Sequence, residues 1–202
     1  MKKFTLRSNS CLEQSTQGFF SVDYVGYQHP RNPDFLNMLK NDFGEKGLFV
    51  LQKAKESLEK TATRDLKKII QRYHRKPTIC VVPRSKKLTH YSVKQLGFLD
   101  TIKRMIGTMN CEDGTDYIRR IKDTKTTHLS RSDYAGGGSM PYCGIAKDTC
   151  AFSSDIKGKD ILLIDDIYTK TVNIDEDMIQ ALLDNGAKSV AFYAVAYTVY
   201  KG

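Results

Sequence analysis

Two adjacent acids followed by a short polar stretch are the residues of this 202-residue sequence whose types and spacing best suit a chemical task. Asp165 and Asp166 come directly after the aliphatic run 161–164. Carboxylates accept hydrogen bonds from sugar hydroxyls and coordinate hard cations such as Mg²⁺. An acid pair at this position therefore predicts a site for a ribose diol or for a Mg²⁺ ion.

The stretch 169–173, which follows the acids, has the composition of an anion-binding loop. The free N–H groups at a helix start, together with the helix dipole, attract anions. Thr169 and Thr171 add hydroxyls, and Lys170 adds a compact charge suited to phosphate. Acids followed by such a loop predict a pocket for a 5-phosphorylated sugar. The same residue types are also ordinary turn and capping residues, so both interpretations stay open at this point.

Strand and helix patterns alternate in the second half of the chain. Apolar runs predict buried strands at 78–82, 160–164 and 189–199. A helix is expected at 173–186, with Asn173 as its cap and the acids at 175–177 complementing its dipole. The alternation predicts an α/β fold with a central, mostly parallel sheet flanked by helices. Ligands of such sheets bind beyond the carboxyl ends of the strands, where we expect the acid pair.

The first part of the chain, residues 1–77, is expected to form an N-terminal strand and helix elaboration packed on a core made by 78–202. Composition and periodicity predict further elements, namely strands at 19–28 and 116–121 and helices after Asn32, at 48–73 and at 90–109.

Positive charge is concentrated in one part of the chain. The formal net charge is +9, with 17 Lys and Arg against 6 Asp and Glu in 64–131, but 3 against 8 in 155–184. This asymmetry suggests a polyanionic partner, either nucleic acid or a ligand with several phosphates. A solvated basic face is the alternative interpretation, and it is the one that charge alone favours.

Compartment signals favour a cytoplasmic protein without a membrane partner. No apolar run approaches the ~20 residues of a membrane span, and the first residues have no apolar segment typical of a signal peptide. The five cysteines are scattered without CxxC spacing. We therefore expect reduced thiols rather than a disulfide or zinc framework.

The stretch 161–173 resembles the diphosphoribosyl-binding motif of type I phosphoribosyltransferases, in which four apolar residues, two acids and two variable residues precede Thr-Thr-Gly-x-Thr. Residues 81–202 are similar in layout to ComF-like phosphoribosyltransferases associated with bacterial competence. The shared features are the strand end VVP followed by basic residues, the segment RRIKDTKTTHLSRS and the closing DNGAKSVAFYAVAYTV. The N-terminal zinc-binding cysteines of many ComF-like proteins are missing.

The resemblance implies a type I phosphoribosyltransferase-like fold that binds phosphoribosyl pyrophosphate or a related ligand. It implies that Asp165 and Asp166 are the catalytic acids, which hold the ribose hydroxyls and touch Mg²⁺ only through the ligand. The implied 5-phosphate loop is Thr169, Lys170, Thr171, Val172 and Asn173, and the implied pyrophosphate loop is Arg84, Ser85 and Lys86. The implied flexible hood is the segment 131–144, including Arg131, Tyr134, Gly136, Gly137 and Gly138.

Three departures from the motif bear on activity. Lys170 stands in the second Thr position, Thr171 in the Gly position and Asn173 in the final Thr position. Glycine permits a positive φ that strains a β-branched residue, so we expect a different loop path or a shifted phosphate. The resemblance implies sugar transfer to a nitrogen acceptor. A non-catalytic nucleotide- or nucleic-acid-binding adaptor, linked to DNA uptake or processing, is the alternative, and either form is compatible with a dimer.

Overall fold

A six-stranded sheet forms the centre of the computed structural model, which describes residues 1–26, 29–42, 46–125 and 138–199. Its strands are β1 (Lys2–Leu6), β2 (Thr16–Tyr24), β3 (Thr78–Val81), β4 (Glu112–Asp113), β7 (Asp160–Tyr168) and β8 (Ser189–Thr198). Their spatial order is β1-β2-β8-β7-β3-β4. Only β1 is antiparallel to its neighbour. The predicted α/β fold with a mostly parallel sheet is confirmed.

Five helices and a small second sheet complete the described fold. The helices are α1 (Asp34–Lys40), α2 (Leu48–Ile70), α3 (Gly97–Ile106), α4 (Ile145–Thr149) and α5 (Ile174–Asp184). The small antiparallel sheet pairs β5 (Ile118–Arg120) with β6 (Cys150–Phe152). The predicted strand at 116–121 therefore exists, but it lies outside the central sheet.

Apolar side chains cover both faces of the central sheet. Along β7, Leu162 and Ile164 pack into one core cluster with α1, α2 and α3. Ile161 and Leu163, which alternate with them, pack into a second cluster with α4 and α5. Burial on both faces explains why this strand is a continuous apolar run rather than an alternating one.

The first 77 residues contribute directly to the central sheet. Strand β2 pairs in parallel with β8, and β1 adds an antiparallel edge strand beyond it. Helix α2 packs on the sheet through its apolar stripe, whose buried residues include Leu51, Ala54, Leu58, Ala62, Leu66 and Ile69. The 3–4 spacing that predicted this helix is the spacing of its buried face.

Strand β7 is longer than the sequence predicts. The expected end at residue 164 was wrong, because the ladder with β8 continues through Asp165 opposite Ala194 and through Tyr168 opposite Tyr197. Backbone groups make the ladder, so acidic side chains do not end it. The acid pair therefore lies within the last part of a strand, which holds it more rigidly than a loop would.

The expectation of reduced thiols is wrong for two cysteines. Cys11 and Cys143 form a disulfide that joins the turn after β1 to the segment before α4, across 132 residues of sequence. Cys80, Cys111 and Cys150 are free. Sequence spacing could not reveal the pair, because the fold alone brings the two residues together.

None of the helices in the described part of the chain combines the length and the apolar character that crossing a bilayer requires.

Candidate functional site

A cavity of about 1040 Å³ opens at the carboxyl ends of β3, β7 and β8. It is bounded by the end of α1, the start of α5 and the segment after β3. The residues that the sequence and the resemblance single out and that line it are Arg84, Ser85, Lys86, Asp165, Asp166, Thr169, Thr171, Val172 and Asn173. Lys170 is exposed and is not among the lining residues. One cavity thus brings the segment 84–86 together with the acid pair and the loop at 165–173, about 80 residues later in the chain.

Asp166 is held by a lysine that no sequence pattern singles out. Lys40, in the last turn of α1, places its Nζ 3.0 Å from Asp166 Oδ2. The two side chains are only 20% and 19% exposed. Burial works against the charge of Lys40, but Asp166 and then Asp165 outweigh it and raise the pKa of Lys40. This ion pair places a fixed positive charge inside the cavity.

Asp165 shares its surroundings with a third acid, Asp175, in the first turn of α5. The two carboxyl groups lie within hydrogen-bonding reach of each other, and Asp175 is 5% exposed. Burial, followed by the charge of Asp166, raises the pKa of Asp165 to about 7. Burial and Asp165 raise the pKa of Asp175 well above its ordinary value. Two such carboxyls can hydrogen-bond only when one carries a proton, so the pair retains a proton near neutral pH.

The loop 169–173 takes a path that differs from the glycine-containing motif. It closes as a turn in which Val172 N–H donates to the Thr169 carbonyl over 3.0 Å. The left-handed residue is Asn173, with φ 58°, and Thr171 has no positive φ. Asparagine tolerates this conformation better than a β-branched residue does. The expected strain at Thr171 is therefore avoided by moving the left-handed position two residues along.

Asn173 does not cap α5 with its side chain, contrary to the sequence prediction. Its Oδ1 instead accepts a hydrogen bond of 3.2 Å from Asn9 Nδ2, in the turn between β1 and β2. Thr169, at the other end of the loop, is 2.7 Å from the Thr198 hydroxyl on β8. These contacts anchor the loop at both ends.

The acids in the first turn of α5 also make specific hydrogen bonds to neighbouring elements. Asp177 accepts hydrogen bonds from the backbone N–H groups of Gly144 and Ala146 and so holds the start of α4. Glu176 accepts a 2.6 Å hydrogen bond from the Tyr168 hydroxyl. Both acids are buried. An acidic first turn is typical of any helix, so this sequence signal could not reveal that the three acids are structural or site residues.

The segment 84–86 is fixed mainly by its neighbours. The Arg84 guanidinium donates to the carbonyls of Lys40 and Gln95 and to the Asp42 carboxylate, and it lies 4.2 Å from the ring centre of Tyr91. These partners leave Arg84 oriented toward the end of α1.

Backbone contacts hold the rest of this segment. Arg120, which is buried, donates to the Arg84 carbonyl over 3.1 Å, and Thr124 N–H donates to the Ser85 carbonyl over 2.7 Å. Lys86 N–H donates to the Tyr91 hydroxyl over 3.1 Å. Arg120 also lines the cavity, although the sequence motifs selected only Arg84, Ser85 and Lys86 in this part of the site.

Half of the hood implied by resemblance, residues 131–137 with Arg131, Tyr134, Gly136 and Gly137, lies outside the described residues. Gly138 is described and has φ 118°. A Cβ there would lie 2.7 Å from the Asp123 carbonyl oxygen, so the close approach of the two backbones requires glycine.

The acids offer oxygen ligands suited to Mg²⁺. Asp165 and Asp166 present carboxylate oxygens to the cavity. Across the residues that the structure covers, however, no group of three His, Cys, Asp or Glu side chains is arranged to hold a metal by itself. A Mg²⁺ ion at these carboxylates would need its remaining ligands from a bound phosphate compound or from water.

Comparison with known proteins adds no relative to this description, since the chain matches no protein-family profile and no curated protein. Function must therefore be inferred from the site itself.

Proposed function

We propose that the protein binds a 5-phosphoribosyl ligand, with phosphoribosyl pyrophosphate and Mg²⁺ as the first candidate, on a phosphoribosyltransferase-like fold. The observation that carries the proposal is the convergence of the acid pair, the loop before α5 and the segment after β3 on one cavity. These are the three segments that the resemblance to type I phosphoribosyltransferases selected. The acid pair would bind the sugar, the loop before α5 would bind its 5-phosphate, and the segment after β3 would bind its pyrophosphate.

The acid pair suits the ribose ring. Carboxylate oxygens accept hydrogen bonds from vicinal hydroxyls, and the strand β7 fixes both acids in place. Lys40 offsets one of the two negative charges, which would otherwise repel a phosphorylated ligand. Asp165 and Asp175 retain a proton, which lowers the negative charge of the site further.

The loop 169–173 is proposed to hold the 5-phosphate, using the hydroxyls of Thr169 and Thr171 and the N–H groups at the start of α5. Lys170 is an exposed residue of the loop, so its flexible side chain can reach an anion bound there. Mg²⁺ would supply charge neutralisation of the pyrophosphate leaving group. The fixed carboxylates would stabilise positive charge that develops on the sugar when the anomeric C–O bond breaks.

Calorimetric titration with phosphoribosyl pyrophosphate and Mg²⁺ tests the proposal, with ribose 5-phosphate and AMP as comparison ligands. We expect Mg²⁺-dependent binding by the wild type and at least a roughly tenfold weaker affinity for the double variant Asp165→Asn, Asp166→Asn. The matched control is Asp100→Asn, Asp184→Asn, which changes the same charge outside the cavity. Equal affinity of the double variant and the wild type, or no binding of any of the three ligands, would overturn the proposal.

A binding role without sugar transfer is the second candidate, and the altered loop favours it. Asn173, rather than a glycine in the middle of the loop, takes the left-handed conformation. The phosphate position can therefore differ from the one that transfer requires. Release of pyrophosphate on incubation with candidate nitrogen bases would establish transfer, whereas binding without pyrophosphate release from any base would favour the non-catalytic role.

A further inference from the structure

A second cleft, of about 650 Å³, lies at the amino ends of the strands, whereas the candidate site lies at their carboxyl ends. It is formed where β3, β4, β7 and β8 begin, together with the end of α2. Asp160 in the cleft and Asp166 in the candidate site are six residues apart on β7, which at ~3.3 Å per residue separates the two sites by roughly 20 Å. The cleft is therefore independent of the cavity described above.

Positive charge dominates this cleft. Its cationic lining residues are Arg75, Lys76, Lys157, Lys159 and Lys188, and its carboxylates are Glu112 and Asp160. Two of the lysines are paired, Lys159 with Glu112 at 2.7 Å and Lys188 with Asp160 at 3.3 Å. The remaining three cations, Arg75, Lys76 and Lys157, are exposed and give the cleft an excess positive charge.

The helix dipole accounts for only part of this charge. Lys67 and Lys68 lie in the last turn of α2, where cations stabilise any helix. Arg75 and Lys76 lie beyond the helix, Lys157 comes from the turn before β7, and Lys188 precedes β8. No helix end explains why cations from separate segments converge on one concave surface.

We propose that this cleft and the adjoining end of α2 bind the phosphate backbone of nucleic acid. The exposed Lys67 and Lys68 continue the positive surface beyond the cleft, and an extended polyanion can use both parts, whereas a compact anion would occupy the cleft alone. Arg75 and Lys76, which belong to the basic part of the sequence at 64–131, thus line a concave surface.

The cleft offers contacts for phosphates, so we expect it to bind nucleic acid independently of base sequence. Tyr73, an aromatic lining residue, is half-buried, and its hydroxyl lies 3.5 Å from the Ile161 carbonyl, so its ring is not a platform for stacking bases. Phosphate contacts position a nucleic acid without reading its bases. We therefore expect similar affinities for different sequences and a strong dependence on salt.

Fluorescence anisotropy with labelled single-stranded and double-stranded 20-mers, over a range of salt concentrations, tests the inference on the full chain. The test variant is Arg75→Gln, Lys76→Gln, Lys157→Gln. Because these side chains would contact phosphates, we expect at least a roughly tenfold loss of affinity and a salt slope smaller by about 2 to 3. The matched control is Lys3→Gln, Lys60→Gln, Lys122→Gln, which removes the same charge from residues outside the cleft.

The control should bind within about twofold of the wild type, and both variants should keep the wild-type melting temperature. Equal losses in the two variants would show a general charge effect and overturn the inference. Absence of salt-dependent binding by the wild type would also overturn it, as would binding of inorganic tripolyphosphate without binding of either oligonucleotide. Titration of the test variant with phosphoribosyl pyrophosphate separates this inference from the proposed function, since that binding should be unchanged.

Discussion

The buried carboxyl of Asp175 should make the stability of the protein depend on pH in a way that one substitution removes. Burial and the neighbouring Asp165 raise the pKa of Asp175 well above its ordinary value. The folded protein therefore keeps a proton that the unfolded chain, with an aspartate pKa of about 3.9, has largely released at pH 5. Since the folded state binds more protons, its stability falls as pH rises, by about 1.4 kcal/mol per pH unit for one proton.

Asp175→Asn replaces the protonated acid with a neutral group of similar shape that can still donate to Asp165. We expect the free energy of unfolding of this variant, relative to the wild type, to rise between pH 5 and pH 7, with an upper bound on the order of 3 kcal/mol for one retained proton. Urea unfolding followed by circular dichroism at pH 5, 6 and 7 measures this difference. Asp165, whose pKa burial raises to about 7, still titrates in the variant, so its slope is reduced and not abolished.

A control on the same helix isolates the effect. Lys147 and Gln180 hydrogen-bond to Asp184, and the bond to Lys147 is the main reason why its pKa is lowered. Asp184 is therefore ionised in both folded and unfolded states above pH 5, and Asp184→Asn should differ from the wild type by a constant amount. A constant difference for Asp175→Asn as well would mean that Asp175 is ionised in the fold, and the reasoning about a retained proton would be refuted.

Three further substitutions or treatments probe other parts of the structure. Lys40→Ala leaves Asp166 without its cation, so thermal unfolding should show a loss of about 1.5–3 kcal/mol, and unchanged stability would contradict the observed ion pair. Reductant should lower the free energy of unfolding by about 2–5 kcal/mol, because Cys11 and Cys143 close a 132-residue separation, while a Cys11→Ser, Cys143→Ser variant should not respond. Gly18→Ala should cost about 1–3 kcal/mol in urea unfolding, because its Cβ would lie 2.5 Å from an aromatic ring of β1; a neutral result would show that the ring moves aside.

Local patterns predicted most of the central fold. The apolar runs of β3, β7 and β8 and the periodic stripe of α2 carry their own signals, because burial on one or both faces selects residues at a short sequence spacing. Strand β1 was missed because it is a short edge strand with mostly exposed side chains. The acid pair was found because its residue types stand next to each other in the sequence.

Residues that meet only in the folded chain could not be predicted from local sequence patterns. Lys40 meets Asp166 only because α1 ends beside β7, and an isolated lysine at a helix end is ordinary in any sequence. Asp175 is ten residues from Asp165, yet it was interpreted as a dipole partner because its burial depends on the packing of α5 against the sheet. Such contacts are set by tertiary structure, which short sequence patterns do not encode.

The parallel pairing of β2 with β8 has a consequence for biosynthesis. Gly18 lies opposite Phe192, so partners in neighbouring strands are made roughly 170 residues apart. At about 5–20 residues per second, a ribosome needs on the order of 10 seconds or more to reach the second partner. During that interval β1 can cover one edge of β2, whereas the other edge stays open to strands of other nascent chains. We therefore expect the yield of folded protein to rise at lower expression temperature or with added chaperones, which shield the open edge of β2 until β8 is made.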